Sequence, residues 1–221
     1  MLKRQMIITS DGSSSIHIPE WNEQYHSKHG AIQEAYHVFI KSGFEYFDRK
    51  ELAILEIGLG TGLNCFITFL EAQKKSIKIN YTGVEAFPIT ESERKLVNYV
   101  SELKAENHKK IFNQIHFSNW DERIALSSSF SFIKELKKFQ EITAVSQYDL
   151  IYFDAFGPRV QPELWSEEQF KKMYNSLKAK GVLVTYSAKG SVRRATQSVG
   201  FNVEKLPGPP GKREMLRANK A

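Results

Sequence analysis

Three acids and a run of glycines are the residues in this chain whose types and spacing can do chemistry. Glu56-Ile57-Gly58-Leu59-Gly60-Thr61-Gly62-Leu63-Asn64 sets three glycines at alternate positions behind an acid, directly after the apolar run Ala53–Leu55. A buried strand turning sharply into a helix has this pattern, and the glycines let a ligand approach the backbone at the helix start. A dinucleotide fingerprint would read G-x-G-x-x-G. Here the third glycine comes one residue early, and Leu63 stands where it would fall. Glu85 ends a second apolar run, Ile77–Val84, about 20 residues beyond the glycines, where doubly wound folds keep an acid for ribose hydroxyls. Asp154 follows the apolar run Tyr148–Phe153 and precedes Ala155-Phe156-Gly157-Pro158. A carboxylate there can accept a hydrogen bond from an incoming amine, orient its lone pair and help remove its proton, while Phe156 packs against a base or a cationic centre. The alternative for Asp154 is a helix-capping or turn acid before Gly157-Pro158.

These residues need a sheet that brings their strand ends together. Strands are expected at Met6–Thr9 and Ser14–Ile18, joined around Asp11-Gly12, then at Leu52–Ile57, Ile77–Val84, Ile115–Phe117, Tyr148–Phe153, Val182–Tyr186, Phe201–Lys205 and Glu214–Arg217. Helices are expected at Ala31–Ile40, at about Leu63–Glu71, after the capping box Thr90-Glu91-Ser92-Glu93, over roughly Glu102–Phe112, from a second capping box at Ser166-Glu167-Glu168-Gln169 to Gly181, and at Val192–Val199. Residues 123–143 stay open between a hairpin (Ile124–Leu126 with Phe130–Ile133) and a helical Glu135–Phe139. The alternation predicts an α/β, doubly wound, mostly parallel sheet with helices on both faces and an antiparallel strand near one edge. Residues 1–45 would form a small hairpin-and-helix extension packed on the core, and residues 46–221 the main domain. Ligands of such a sheet bind outside the carboxyl ends of the strands, where the glycine loop, Glu85 and Asp154 converge.

Composition bounds the rest. The 221 residues, 41% hydrophobic and 25% charged, suit one domain with an appendage. The lone cysteine, Cys65, excludes an intramolecular disulfide and reads as a small buried residue. No apolar run approaches the ~18 residues of a membrane span, and the start is too weakly apolar for a signal peptide, so a cytoplasmic protein without membrane partners is expected. His26, His29 and His37 lack a cysteine or acid at regular spacing, so no metal is expected. The net charge of +6 lies entirely after Ser187, where Lys189, Arg193, Arg194, Lys205, Lys212, Arg213, Arg217 and Lys220 face only Glu204 and Glu214. Charge concentrated at one end suggests a polyanion such as nucleic acid, the alternative being a solvated basic edge.

Several strings carry a resemblance. Glu56-x-Gly58-x-Gly60-x-Gly62 is similar to the cofactor loop of S-adenosylmethionine (SAM) methyltransferases. Asp154-Ala155-Phe156-Gly157-Pro158 with Gln161-Pro162-Glu163-Leu164-Trp165 resembles a segment of the MnmC-type tRNA methyltransferases, which act on 5-aminomethyl-2-thiouridine at the wobble position. Thr185–Arg194, Gly200-Phe201 and Gly211-Lys212-Arg213-Glu214-Met215 resemble further motifs of that family, the last with one basic residue fewer before Arg213. Tyr25-His26-Ser27, Gly30-Ala31 and Glu34–Phe39 are similar to its amino-terminal signature, so the likeness covers about residues 20–217. It implies a class I SAM-dependent methyltransferase (Rossmann-like) fold, SAM as donor and the anticodon loop of tRNA as partner. Asp154 would contact the amine with Phe156 beside the modified base. Glu56, Gly58, Gly60, Thr61, Gly62, Asn64 and Glu85 would hold SAM. Asn119-Trp120-Asp121 stands where adenine contacts fall, with Asp121 as the hydrogen-bonding acid. Lys189, Arg193, Arg194, Lys212 and Arg213 would meet tRNA. Methyl transfer is an in-line displacement at carbon, so positioning supplies most of the catalysis.

Bifunctional relatives continue into a flavin-dependent oxidase domain, and no second glycine-rich dinucleotide loop occurs here. The expectation is a stand-alone, MnmD-like methyltransferase that receives its aminomethyl substrate from a separate enzyme. Two other readings stay open: a methyl- or aminopropyltransferase acting on a small amine, and a tRNA-binding module without cofactor.

Overall fold

A computed structural model describes residues 2–221. Strands β1 (Gln5–Ile8), β2 (Ser14–Ile18) and β3 (Glu23–Gln24) form a small antiparallel sheet. The chain then runs through α1 (Ala31–Ala35), which continues as a π-helical turn over Tyr36–Lys41. The remaining strands are β4 (Glu51–Ile57), β5 (Lys78–Glu85), β6 (Ile124–Ser127), β7 (Phe130–Leu136), β8 (Tyr148–Phe153), β9 (Leu177–Thr185), β10 (Asn202–Pro207) and β11 (Glu214–Asn219). They make one eight-stranded sheet in the order β10-β11-β9-β8-β4-β5-β7-β6. Pairings from β7 through β9 are parallel, whereas β6 runs antiparallel at one edge and β11 is inserted antiparallel beside β9. This is the mostly parallel α/β sheet read from the sequence.

The strand runs explain their own burial. β4 and β8 are apolar on both faces, because helices cover both sides of a parallel sheet. Leu52, Ile54, Leu55 and Ile57 are all buried, as is every residue of β8. On one face Ile54, Tyr81 and Tyr152 pack with α1 and with α2 (Leu63–Lys75) and α5 (Lys109–Phe117). On the other, Leu55, Ile151 and Leu183 pack with α6 (Glu167–Ser176) and α7 (Gly190–Ser198). Two short helices, α3 (Glu91–Lys95) and α4 (Tyr99–Glu102), bridge β5 to α5. The Thr90 box is complete: Glu93 N–H donates to the Thr90 hydroxyl and Thr90 N–H to the Glu93 carboxylate. Among the described residues no helix is long and apolar enough to cross a membrane.

Several local expectations are corrected. Ile115–Phe117 is the last turn of α5, not a strand; Ile111, Phe112 and Ile115 recur at helical spacing, and Phe112 and Ile115 are buried against α2. The helix expected over Glu102–Phe112 is broken at Leu103–Ala105 and restarts at Glu106. The open region resolves as the β6–β7 hairpin, with β7 as the parallel neighbour of β5, so Glu135 is extended rather than helical. Gly181 lies within β9 and does not end α6. Leu177 is buried and already in the strand, and the residues up to Val182 bulge outward through Lys180 at φ +61°. At Ser166 only half of the capping box forms: the Gln169 carboxamide is turned so that Nε2–H donates to the Phe139 carbonyl, and its Oε1 accepts nothing from the Ser166 N–H.

Candidate active site

The carboxyl ends of β4, β5 and β8 open onto a cavity of about 1350 Å³. Gly58, Gly60, Glu85, Asp154 and Phe156 line it, so the sheet brings together residues nearly a hundred positions apart. A Cβ on Gly58 would lie 2.7 Å from the Asp154 carbonyl oxygen, and its φ of +89° disfavours any side chain. The loop therefore passes directly beneath Asp154. Gly62, at φ +73°, turns the chain into α2.

Glu85 is fixed by two backbone donors, Gly60 N–H to Oε2 at 3.0 Å and Phe87 N–H to Oε1 at 2.8 Å. Each oxygen keeps a lone pair for a diol on the cavity side. Asp154 Oδ2 accepts from Asn64 Nδ2 at 2.9 Å, and the same nitrogen donates to Glu56 Oε1 at 2.9 Å. Burial and the nearby Glu34 carboxylate push Asp154 up to about 7, against the lowering pull of Asn64 and Lys212. Burial also drives the Glu56 carboxyl well above the usual carboxylate range.

Much of the opposite wall comes from the amino-terminal segment. The Phe156 ring meets Trp21 and Tyr25 edge-on, with ring centroids 5.3 and 5.0 Å apart. Tyr25 also covers Gly60, and Trp165 Nε1–H anchors the Phe156 carbonyl. Lys212 Nζ pairs with Glu34 at 2.6 Å and sits 3.9 Å above the Tyr186 ring, whose hydroxyl donates to the Ala155 carbonyl. Trp21, Tyr25, Glu34 and Tyr186 all line the cavity and were not singled out as site residues. The Tyr25-His26-Ser27 and Glu34–Phe39 strings were the available signal. What they lack is any local chemistry pointing to a cavity formed from a distant strand end.

The sequence-predicted residues divide accordingly. Lys189, Lys212 and Arg213 line the cavity, whereas Arg193 and Arg194, on α7, do not. Glu56, Thr61, Gly62 and Asn64 lie behind its wall: Thr61 Oγ1 accepts from the Tyr99 hydroxyl, and the neighbouring His26 is buried, its imidazole pushed down to about 4. Asp121 is off the cavity altogether. It precedes β6 at φ +60°, and its backbone N–H and carboxylate bind the Lys134 carbonyl and the Leu136 N–H, closing the end of β7. Phe87 and Lys138-Phe139-Gln140, by contrast, do line the cavity.

The basic end is not one surface. Lys212 pairs with Glu34, Lys205 with Glu214 and Arg217 with Glu204, while Lys220 donates to the carbonyls of Tyr174 and Leu177. Among the described residues Lys189, Arg193, Arg194 and Arg213 make no ion pair.

Comparison with known proteins agrees with this geometry. Residues 93–221 match a family described as S-adenosyl-L-methionine-dependent methyltransferase. The chain is 30% identical over 213 residues to the tRNA 5-methylaminomethyl-2-thiouridine biosynthesis bifunctional protein MnmC of Hydrogenovibrio crunogenus, taking in 88% of this chain and 31% of that protein. It is 31% identical over 215 residues to the protein of the same name from Leptospira borgpetersenii, over 89% of this chain and 32% of that one. The chain thus spans about a third of the length of these curated relatives. Among solved structures, MNMC2 from Aquifex aeolicus superposes with a TM-score of 0.82 at 23% identity, over 99% of this chain and 70% of that one. Spermidine synthase from Thermotoga maritima superposes with a TM-score of 0.54 at 15% identity, over 100% and 74%. Both are likenesses of fold.

Proposed function

The chain belongs to the S-adenosyl-L-methionine-dependent methyltransferases, and from that premise we propose that it methylates the amine of 5-aminomethyl-(2-thio)uridine at the wobble position of tRNA. One observation carries the reading: a half-buried acid, Asp154, stands directly above the cofactor loop and beside an aromatic wall, with its carboxyl pushed up to about 7. The relatives' printed names supply the substrate.

The cavity fits the cofactor on its own terms. Gly58 leaves no room for a side chain, and Glu85 is oriented by two backbone donors as a diol acceptor. When bound, SAM supplies an electrophilic methyl group on a sulfonium. Glu85 would hold the ribose, and Phe87 with residues 138–140 the base. Glu56, Thr61, Gly62 and Asn64 support the loop from behind. An aminomethyl group is protonated at neutral pH, so its lone pair must be freed. Asp154 accepts that proton, and its carboxyl titrates where a base is half available at pH 7. Phe156, edge-on to Trp21 and Tyr25, packs the uridine ring. Lys189, Arg213 and, further out on α7, Arg193 and Arg194 meet phosphates. Lys212, bound to Glu34, serves the site rather than the tRNA backbone. On this reading residues 1–45 cap the substrate half of the domain formed by 46–221. The reaction that supplies the substrate must leave a primary amine on the uridine methylene, and we assign it to a separate active site.

Asp154→Asn should keep SAM affinity within about twofold by calorimetry while methyl transfer to tRNA from cells lacking this activity falls at least ~100-fold, the lower range for loss of a general base. Unchanged turnover would remove Asp154 from the mechanism.

A further inference from the structure

Behind the cavity wall a chain of buried polar groups leads to Asp154. Tyr81 donates its hydroxyl proton to Glu56 Oε2 at 2.8 Å, and Asn64 Nδ2 donates to Glu56 Oε1 and to Asp154 Oδ2, both at 2.9 Å. The chain crosses from β5 through β4 and α2 to the end of β8. Glu56 and Asn64 are 1% and 3% exposed. A carboxamide nitrogen carries two hydrogens, so one Asn64 atom can serve two acids at once. Its Oδ1 is buried without a partner. Turning the amide over would set that oxygen against two carboxyl oxygens, so the two donations fix the orientation at the expense of one acceptor. Asp154 Oδ1 accepts no hydrogen bond among the described residues, and Asp154 lines the cavity.

We propose that Asn64 is a positioning residue for Asp154: its carboxamide ties down Oδ2 and leaves Oδ1 as the oxygen offered to an incoming amine. The proposal rests on the reading of Asp154 as the amine's acceptor. It gives Asn64 and Glu56 a task other than touching the cofactor. The groups that act on Asp154 come from four elements. Glu34 on α1 raises its proton affinity, Lys212 in the β10–β11 turn and Asn64 on α2 lower it, and Glu56 on β4 stands behind Asn64. Tyr186, after β9, is held neutral by burial.

Nuclear magnetic resonance with isotope-labelled aspartate and asparagine tests this, Asp154→Asn and Asn64→Ser identifying the two signals. In the wild-type protein the Asn64 side-chain amide should move with the same midpoint as the Asp154 carboxyl, near pH 7. In Asn64→Ser the hydroxyl can serve only one acid. The Asp154 midpoint should then rise by about one unit, roughly the worth of a charge-assisted hydrogen bond. Turnover at pH 7 should fall several-fold and recover at higher pH, with KM for SAM unchanged. A wild-type Asn64 amide that ignores the Asp154 titration overturns the proposal, whether or not the serine variant folds. Full activity in Asp154→Asn would instead overturn the reading beneath it and leave the shared titration standing.

Discussion

At the residue scale the account turns on one carboxyl. Asp154 in the native protein titrates at about 7 rather than 3.8, because burial and Glu34 disfavour its charge. Between those values the native state holds a proton that the unfolded chain has lost. Its stabilising contribution is therefore full below 3.8 and gone once the pH has risen through about 7. Asp154→Asn, inactive, should accordingly be more stable than wild type at pH 8, by roughly 4 kcal/mol at most, with the gap closing towards pH 4. Urea unfolding at the two pH values measures this, and equal stability at pH 8 would deny the buried charge. Activity has the opposite dependence, falling as the pH drops through about 7. Glu34→Gln removes the raising charge and leaves Lys212 without its acid, so the acid limb of the rate profile should move to lower pH. A limb that moves up or stays put would mean Glu34 does not face Asp154. Of these residues, Asp154, Glu85 and the glycines were legible because strand-end position and spacing mark them. Glu34 was not, since its role comes from Lys212, 178 positions away.

Elements explain why some expectations transferred and others failed. Strands β4, β5 and β8 announced themselves as unbroken apolar runs, and the Thr90 box marked its helix. Ile115–Phe117 is too short for either periodicity to dominate; the helical spacing shows only with Ile111 and Phe112 included, and within the segment Ile115 alone is buried against α2. Asp121 accordingly follows the end of a helix rather than of a strand, and it does not line the cavity. The segment between β2 and β3 is a different case. It carries Trp21 to the cavity and is fastened by Arg159, which donates to the carbonyls of Trp21 and Asn22 and to Glu23. Arg159→Ala should loosen that turn without touching the glycine loop. Limited proteolysis between Pro19 and Gln24 should speed up several-fold and KM for tRNA rise, while SAM affinity holds. Loss of SAM binding would instead place Arg159 in support of the cofactor half.

Over the whole molecule, charge is sorted by pairing. In the cavity Lys212 is bound to Glu34, whereas Lys189 and Arg213 on its lining and Arg193 and Arg194 on α7 make no ion pair among the described residues, and on the proposed reading these are the cations left for phosphates. The sequence showed the excess of +6 and its place along the chain but not which cations stay unpaired, because pairing such as Arg217 with Glu204 follows from strand register. Arg213→Ala should weaken tRNA binding and reduce its salt slope by roughly one unit for each lost phosphate contact. Arg217→Ala, the same change in net charge, should leave the slope unaltered, and equal slopes for both variants would mean that net charge rather than placement governs binding. The central claim is tested most directly by incubating the purified protein with SAM and tRNA that carries 5-aminomethyl-2-thiouridine, then digesting the tRNA and weighing its wobble nucleoside. The account predicts one methyl group added to the amine with wild-type protein, and at least ~100-fold slower addition with Asp154→Asn. An unmethylated nucleoside with SAM bound, or methyl transfer to a free small amine in its place, would contradict it.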